Sequence, residues 1–343
     1  LEGAECIAGV NKNGLCIPSD KCNLNKNVKK FLKNCGNENV CCPLTNIRKT
    51  VQKCYEYERL AYDTVRLVAL SRTTVEHDYR TPNCSKQLKL IVGGEIAGAG
   101  EFPHMAVLGY TQEDSKDILY NCGGSLISDK FVLTAAHCVI DKQLKPVLVR
   151  LNATDLQKSN NGGINFQIKN IFPHDFYRKN ITKKIRYDDI ALIELEKPVN
   201  FSNYIRPACL QADNSDSIQQ GIAAGFGQTA YADPTSPKLR KVVLNVTDIF
   251  DCQDDYENDK QAYPLGIVKT QFCAGSTSDY TGDPRDTCNG DSGGPLMTVS
   301  SDNNCIYYIF GIVAQGKSCG LSTPGIYTKV NHYLDWIESI VWP

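Results

Sequence analysis

Asp286-Thr287-Cys288-Asn289-Gly290-Asp291-Ser292-Gly293-Gly294-Pro295 places one serine between an acid and two glycines, with a cysteine upstream. Glycine lets the backbone approach a reacting group closely and adopt positive φ. A serine hydroxyl is a weak nucleophile until a base is held beside it. The stretch therefore asks the rest of the chain for a base, a carboxylate that orients it, and a pair of N–H donors.

Two other fragments answer. In Thr134-Ala135-Ala136-His137-Cys138 a histidine stands between small residues and a cysteine, just after a strand-like run. In Tyr187-Asp188-Asp189-Ile190-Ala191-Leu192 an acid opens an apolar strand. A carboxylate there is expensive to bury without a charged or hydrogen-bonded partner. The chain has only five histidines, and His137 is the one set in such a context.

Composition bounds the reading. The 343 residues carry a net charge of −1 with both signs interspersed, which gives no footprint for nucleic acid or a membrane surface. No apolar run approaches the roughly 20 residues of a membrane span. Leu1-Glu2-Gly3-Ala4-Glu5 does not read as a signal peptide, so an exported protein is expected to be in its mature form. The 16 cysteines point to disulfides in an oxidising compartment. Zinc is disfavoured, because no Cys-x-x-Cys pair is followed by a second pair or by spaced histidines. Glycosylation sequons begin at Asn83, Asn152, Asn180, Asn200 and Asn245, the first weakened by Cys84 in its middle position.

Along the chain, residues 6–42 hold Cys6, Cys16, Cys22, Cys35, Cys41 and Cys42 among few large apolar residues. So short a unit needs covalent staples, and six cysteines allow fifteen pairings. Lys26, Lys29, Lys30 and Lys33 form a basic stretch, read as a solvated face rather than a docking patch. Residues 43–83 look like a linker. Within it Tyr57, Leu60, Ala61, Val65 and Val68 predict a short helix over about 54–70, packed on the larger domain or part of a disordered tether. The polar run Ser71–Pro82 is expected to be mobile. Beyond residue 91 many short runs predict strands, among them Phe131–Thr134, 147–151, Ile190–Ile193, Leu239–Val246 and Tyr307–Val313. Leu334, Ile337 and Val341 predict a terminal helix within 331–341.

The His, Asp and Ser fragments, in that order, closely resemble the trypsin and chymotrypsin family, over about three quarters of the chain. The six N-terminal cysteines, ending in Cys41-Cys42 before Pro43, resemble the clip domain of arthropod serine proteases. The resemblance implies an all-β, chymotrypsin-like double β-barrel with a C-terminal helix, preceded by a small disulfide-rich clip domain. The expected division is 1–43 clip domain, 44–90 linker and activation segment, and 91–343 protease domain. His137, Asp189 and Ser292 would be catalytic, and the N–H groups of Gly290 and Ser292 would form the oxyanion hole. Asp286, Gly316 and Gly325 would set specificity for Arg or Lys, an anion at the base of an unobstructed pocket. Expected bridges are Cys6–Cys41, Cys16–Cys35, Cys22–Cys42, Cys122–Cys138, Cys252–Cys273, Cys288–Cys319 and Cys84–Cys209. Cys54 and Cys305 remain; they pair with each other, or one is a free or intermolecular thiol.

Lys89-Leu90-Ile91-Val92-Gly93-Gly94 resembles the family's activation junction. Cleavage there frees an α-amino group at Ile91 that would pair with Asp291; without it Asp291 is a buried, unpaired charge. Leu90 in place of a basic residue implies an activating protease of hydrophobic preference, and resembles clip proteases that act upstream in a cascade. Two departures stand out. Ala314-Gln315-Gly316 replaces the usual Ser-Trp-Gly, removing an aromatic platform and a serine near the buried acid. The stretch 150–167 has only Asp155 as an acid, so no calcium site is expected there, and neither metal nor cofactor overall.

The sequence thus predicts a secreted serine endopeptidase zymogen of an extracellular, haemolymph-like fluid, in an immune or developmental cascade. Its partners would be an upstream protease, a protein substrate and a serpin-type inhibitor, with no nucleic acid or membrane. A digestive trypsin and a non-catalytic binding cofactor are the competing readings. The clip domain and Leu90 argue against the first, and an intact His137, Asp189 and Ser292 against the second.

Overall fold

A computed structural model describes residues 2–8, 12–30, 32–68, 76–84, 94–111, 117–141, 144–157, 163–228, 234–275, 287, 290–300, 305–316 and 323–343. Leu90, Ile91, Asp286, Cys288 and Cys319 lie outside them.

Two antiparallel barrels make up the larger part. The first closes in the order Phe131–Thr134, Ala191–Leu195, Ile164–Pro173, Pro146–Leu151, Met105–Thr111 and Ile118–Leu126, and returns to Phe131–Thr134. The second runs Tyr307–Gln315, Pro295–Val299, Gln220–Gly225, Arg240–Thr247, Gln271–Gly275 and Gly325–Lys329, and closes on Tyr307–Gln315. Burial follows sequence. Met105–Thr111 is almost continuously apolar and buried, whereas Ile164–Pro173 alternates and keeps one face wet. One core cluster joins both barrels, from Leu108, Val132 and Leu192 to Ile309 and Ile312. The chain ends in the helix Leu334–Val341, whose Leu334, Ile337 and Val341 are buried.

The N-terminal unit is a four-stranded sheet, Glu5–Ala8, Lys12–Pro18, Asn39–Pro43 and Asn34–Gly36, closed by Cys6–Cys41, Cys16–Cys35 and Cys22–Cys42. Cys122–Cys138 staples the first barrel and Cys252–Cys273 the second.

The linker departs from expectation. Its helix is Lys49–Arg59, not 54–70, and Tyr62–Val68 is a strand paired with Glu76–Pro82. The run Thr64-Val65-Arg66-Leu67-Val68 alternates and is β-branched, which favours a strand over the helix suggested by every third or fourth apolar residue. Of the polar stretch 71–82 that was expected to be mobile, 76–82 is held by that pairing, and 71–75 lies outside the described residues.

The helix Lys49–Arg59 joins the small sheet to the barrels. On one side Tyr55 packs with Leu15 and Ile17, its hydroxyl donates to Glu2 at 2.6 Å, and Arg59 pairs with Glu5. On the other, Glu338 of the C-terminal helix accepts from Thr50 N at 3.0 Å, Thr50 Oγ1 at 2.8 Å and Arg48 Nε at 3.1 Å. The helix has no side-chain cap of its own. Glu338 therefore supplies an acceptor and a negative charge at its N-terminus from across the interface. Arg48 also pairs with Asp335. Arg206, 3% exposed, donates to the carbonyls of Leu60 and Asn83, both at 3.2 Å.

Two bridges complete the junction, and they correct the expected pairing. Cys54 bonds Cys209, and Cys84 bonds Cys305, in place of Cys84–Cys209 and Cys54–Cys305. Cys54, Cys209 and Cys305 lie in one buried cluster with Ala61 and Ile306, and half-buried Cys84 packs against it, so order along the chain does not decide the partners. Cys54 sits on the helix face that meets the short strand Cys209–Leu210, and Cys84 follows the hairpin toward Cys305. A cut at any bond between Cys84 and Gly94 should thus leave one species on a non-reducing gel. Cys84→Ser alone should still retain the N-terminal fragment through Cys54–Cys209, and Cys54→Ser/Cys84→Ser should release it.

Between the barrels His104 is fully buried, its Nε2 3.2 Å from Met297 Sδ and its ring 5.0 Å from that of Tyr307. Burial, helped by nearby Arg206, pushes its pKa down to about 3. An unfolded chain protonates this histidine near 6.5 while the folded chain does not, so folding stability falls as pH drops from about 6.5 toward 3. By pH 4 the loss from this group is about 3 kcal/mol. On acidification across that range, urea melts should show wild type losing more stability than His104→Leu by this amount.

Candidate active site

The strand Phe131–Thr134 delivers His137 into a short helix, His137–Ile140, beside the Cys122–Cys138 bridge. Asp189 comes from the loop preceding Ala191–Leu195. The preceding Asp188 takes left-handed φ of 56°, and its carboxylate accepts from Tyr333 at 2.5 Å. This turn aims Asp189 inward, where it is 2% exposed. Oδ1 accepts the His137 backbone N–H at 2.8 Å, and Oδ2 lies 2.7 Å from His137 Nδ1. Thr328 Oγ1 donates to the Asp189 carbonyl at 3.0 Å. The acid thus grips both ends of the histidine, and its charge has the partner that burial requires. Nδ1 carries the proton in this geometry, leaving Nε2 as the basic atom.

The serine turn is wedged between the barrels. Gly290 and Gly293 have φ of 101° and 75°. A Cβ on Gly293 would collide with Thr134 Oγ1, three residues from His137. Gly123 N donates to Ser292 O at 2.7 Å, Gly293 N to Val313 O at 2.8 Å and Gly294 N to Asp291 O at 2.8 Å. Ser292 is therefore fixed against the strands Ile118–Leu126 and Tyr307–Gln315, next to the segment that carries His137.

Asp291 points away from the serine into a seat made by Gly225 and Gly227. Gly227 N donates to its Oδ1 at 2.7 Å, and a Cβ on either glycine would collide with its carboxylate. Sequence reasoning passed over these two glycines. The pattern Gly225-Phe226-Gly227 at the end of an apolar strand was the available signal, because glycine there marks close backbone approach.

Of the specificity residues, Gly316 follows the strand Tyr307–Gln315 and is exposed, while Gly325 is buried and opens the neighbouring strand opposite Ala274. Asp286 lies outside the described residues; its neighbour Thr287 has its hydroxyl 2.8 Å from that of Tyr327. Where the aromatic platform is missing, Gln315 Oε1 accepts from Tyr263 at 2.9 Å. Tyr263 packs edge-on against Tyr187 and Tyr256, and burial holds its phenol above the ordinary range. A tyrosine from the 262–267 loop thus fixes the wall that a tryptophan would have formed, a contact with no local sequence signal. Asp155, the lone acid near the calcium-binding position, accepts from Gln157 N at 3.1 Å.

The sequon residues differ in access. Asn200 is exposed; Asn152 and Asn245 are half-buried, and Gln220 donates to the side chain of Asn245 at 2.7 Å. Nδ2 of Asn180 donates to Phe176 O within its own helix, at 2.9 Å.

Known proteins place the chain in a family. The sequence profile of the trypsin family matches residues 91–337. The chain is 38% identical over 312 residues to serine protease snk of Drosophila melanogaster, covering 88% of this chain and 68% of that one. It is 32% identical over 358 residues to CLIP domain-containing serine protease B4 of Anopheles gambiae, covering 99% and 92%. Phenoloxidase-activating factor 3 of Holotrichia diomphalia is 36% identical over 264 residues, covering 73% and 72%. A double barrel that clamps a histidine with a buried acid beside a glycine-flanked serine, behind a disulfide-rich N-terminal sheet, belongs to the clip-domain, trypsin-like serine endopeptidases of arthropods.

Proposed function

We propose that this endopeptidase is a secreted zymogen, cut between Leu90 and Ile91, that then hydrolyses bonds after Arg or Lys in the next protein of an extracellular cascade. The observation that carries the catalytic part is the two-point grip of Asp189 on His137 beside the Ser292 turn. His137 Nε2 takes the proton of Ser292 as its oxygen attacks the scissile carbonyl, then returns it to the leaving amine. Asp189 keeps the proton on Nδ1 and balances the imidazolium. The N–H groups of Gly290 and Ser292 would serve the oxyanion, since that of Gly293 is taken by Val313 O and that of Gly294 by Asp291 O.

The activation step is supported by the Asp291 seat. A carboxylate seated against two glycine Cα atoms, with Gly227 N donating to it, lies one residue from Ser292, so a charged N-terminus at Ile91 that pairs with it would act on the serine turn. Asp286 supplies the charge for a basic side chain between Gly316 and Gly325. Leu90 assigns the activating cut to a protease of hydrophobic preference. A protein substrate is supported by the name of one relative, which describes it as activating phenoloxidase. Export is supported by the seven bridges among the described residues. A serpin-type inhibitor would act at the same serine.

The test is to cleave the purified chain after Leu90 and assay Arg, Lys and Leu peptides before and after. Activity on Arg and Lys that appears only after the cut supports the reading. Cleavage of the Leu peptide alone sinks the role of Asp286, and equal activity in the uncut chain sinks the switch.

A further inference from the structure

Between the strand Ile164–Pro173 and Asp189 runs a cationic edge. Residues 178–186 contain Arg178, Lys179, Lys183, Lys184 and Arg186 and no acid, in a chain whose net charge is −1. Arg178, Lys179, Lys183 and Lys184 are exposed. Arg178 pairs with Asp175 of its own helix, both side chains more than half exposed. Among the described residues no carboxylate pairs with Lys179, Lys183 or Lys184.

The edge is rigidly placed. Tyr177 is fully buried beneath it and accepts from Arg186 Nη1 at 3.3 Å. Lys184 is turned outward in the left-handed region, φ 61°, its N–H bonded to Ile181 O. Arg186 N donates to Ala262 O at 3.1 Å, next to the Tyr263 that holds Gln315. Through Arg186 the segment that carries the cations is thus joined to the loop whose Tyr263 holds Gln315, where the aromatic platform is absent. Like charges this close repel one another unless an anion lies across them.

We propose that this edge is a docking surface for an acidic segment of the protein substrate, lying upstream of the cleaved bond. It rests on the reading that the site cleaves proteins after Arg or Lys. A long anionic polymer fits less well, because the adjoining helix Ile249–Asp255 and its flanks expose Asp248, Asp251, Asp254 and Glu257. A short acidic segment is attracted at 178–184 and ends before that repulsive neighbour. The surface restores, by charge, some of the upstream substrate contact that Gln315 does not offer by stacking.

The experiment uses two fluorogenic peptides with one cleaved Arg, identical except for an upstream run of Glu or of Gln. In the protein cut after Leu90, kcat/KM for the Glu peptide should exceed that for the Gln peptide by about tenfold at low ionic strength. The ratio should fall toward one at high salt. In Lys179→Glu/Lys183→Glu/Lys184→Glu it should drop below one while the Gln peptide is cleaved as before. Peptide binding to Ser292→Ala, read by fluorescence anisotropy, separates the two readings. If neither peptide is cleaved, the Arg specificity fails, and a tighter Kd for the Glu peptide still upholds the surface. Equal rates and equal Kd values for the two peptides in the wild-type surface overturn it.

Discussion

Asp189→Asn is expected to lower kcat on an Arg peptide by about 10⁴ while leaving the fold intact. Both carboxylate oxygens accept from the same residue, one from the His137 backbone N–H and one facing Nδ1. An amide has one accepting end. If its oxygen keeps the backbone N–H, its NH₂ faces Nδ1, which must then give up its proton. The proton moves to Nε2, and the atom that should take the serine proton no longer can. Water cannot repair the contact, because Asp189 is 2% exposed. Asn is nearly isosteric, so the melting temperature should change far less than the rate does. A loss of turnover in step with a loss of folded protein would instead assign Asp189 a structural role alone.

Gly227→Ala should cost about 10²–10³ in kcat, the size of losing an oxyanion donor, though it alters neither nucleophile nor base. The added Cβ would occupy the place of the Asp291 carboxylate, and the same holds for Gly225→Ala. Asp291 must then swing out of its seat and abandon Gly227 N. Its backbone is one residue from Ser292, and its carbonyl accepts Gly294 N, so the serine turn moves with it. The cut variant should behave like the uncut wild type. Rates on an Arg peptide before and after cleavage following Leu90 read this directly. A cut Gly227→Ala protein with wild-type turnover would show that the seat of Asp291 is not coupled to the serine.

The two variants also separate what could be read from the chain and what could not. The residues proposed to carry the chemistry stood out by context: His137 among alanines, Asp189 at the head of an apolar strand, Ser292 among glycines. Each context is local, and chemistry constrains it tightly. Individual strands were legible because alternating and β-branched runs carry their own period, as in Phe131–Thr134, while their closure into two barrels was implied by the family resemblance alone. The linker was not, because a few apolar residues at every third or fourth place suit a helix, while tertiary pairing made 62–68 a strand. The exchange of partners among Cys54, Cys84, Cys209 and Cys305 has the same origin: four sulfurs packed together leave no trace in their order.

The attachment of the small sheet was likewise invisible, since it rests on pairs some 290 residues apart, such as Thr50 with Glu338. Arg48, Glu338, Arg206 and two disulfides make the N-terminal part a fixed neighbour of the barrels. Removal of Glu338 would uncap the helix Lys49–Arg59, whose own sequence supplies no substitute.

The claim on which everything else depends is that Ser292 becomes a nucleophile only when His137 is present and the chain has been cut. A fluorophosphonate probe tests it most directly, with the labelled peptide identified by mass spectrometry. The protein cut after Leu90 should take up one probe, on Ser292, and the uncut protein and cut His137→Ala should take up almost none. Labelling of a different residue, or equal labelling of Ser292 in all three, would contradict the account.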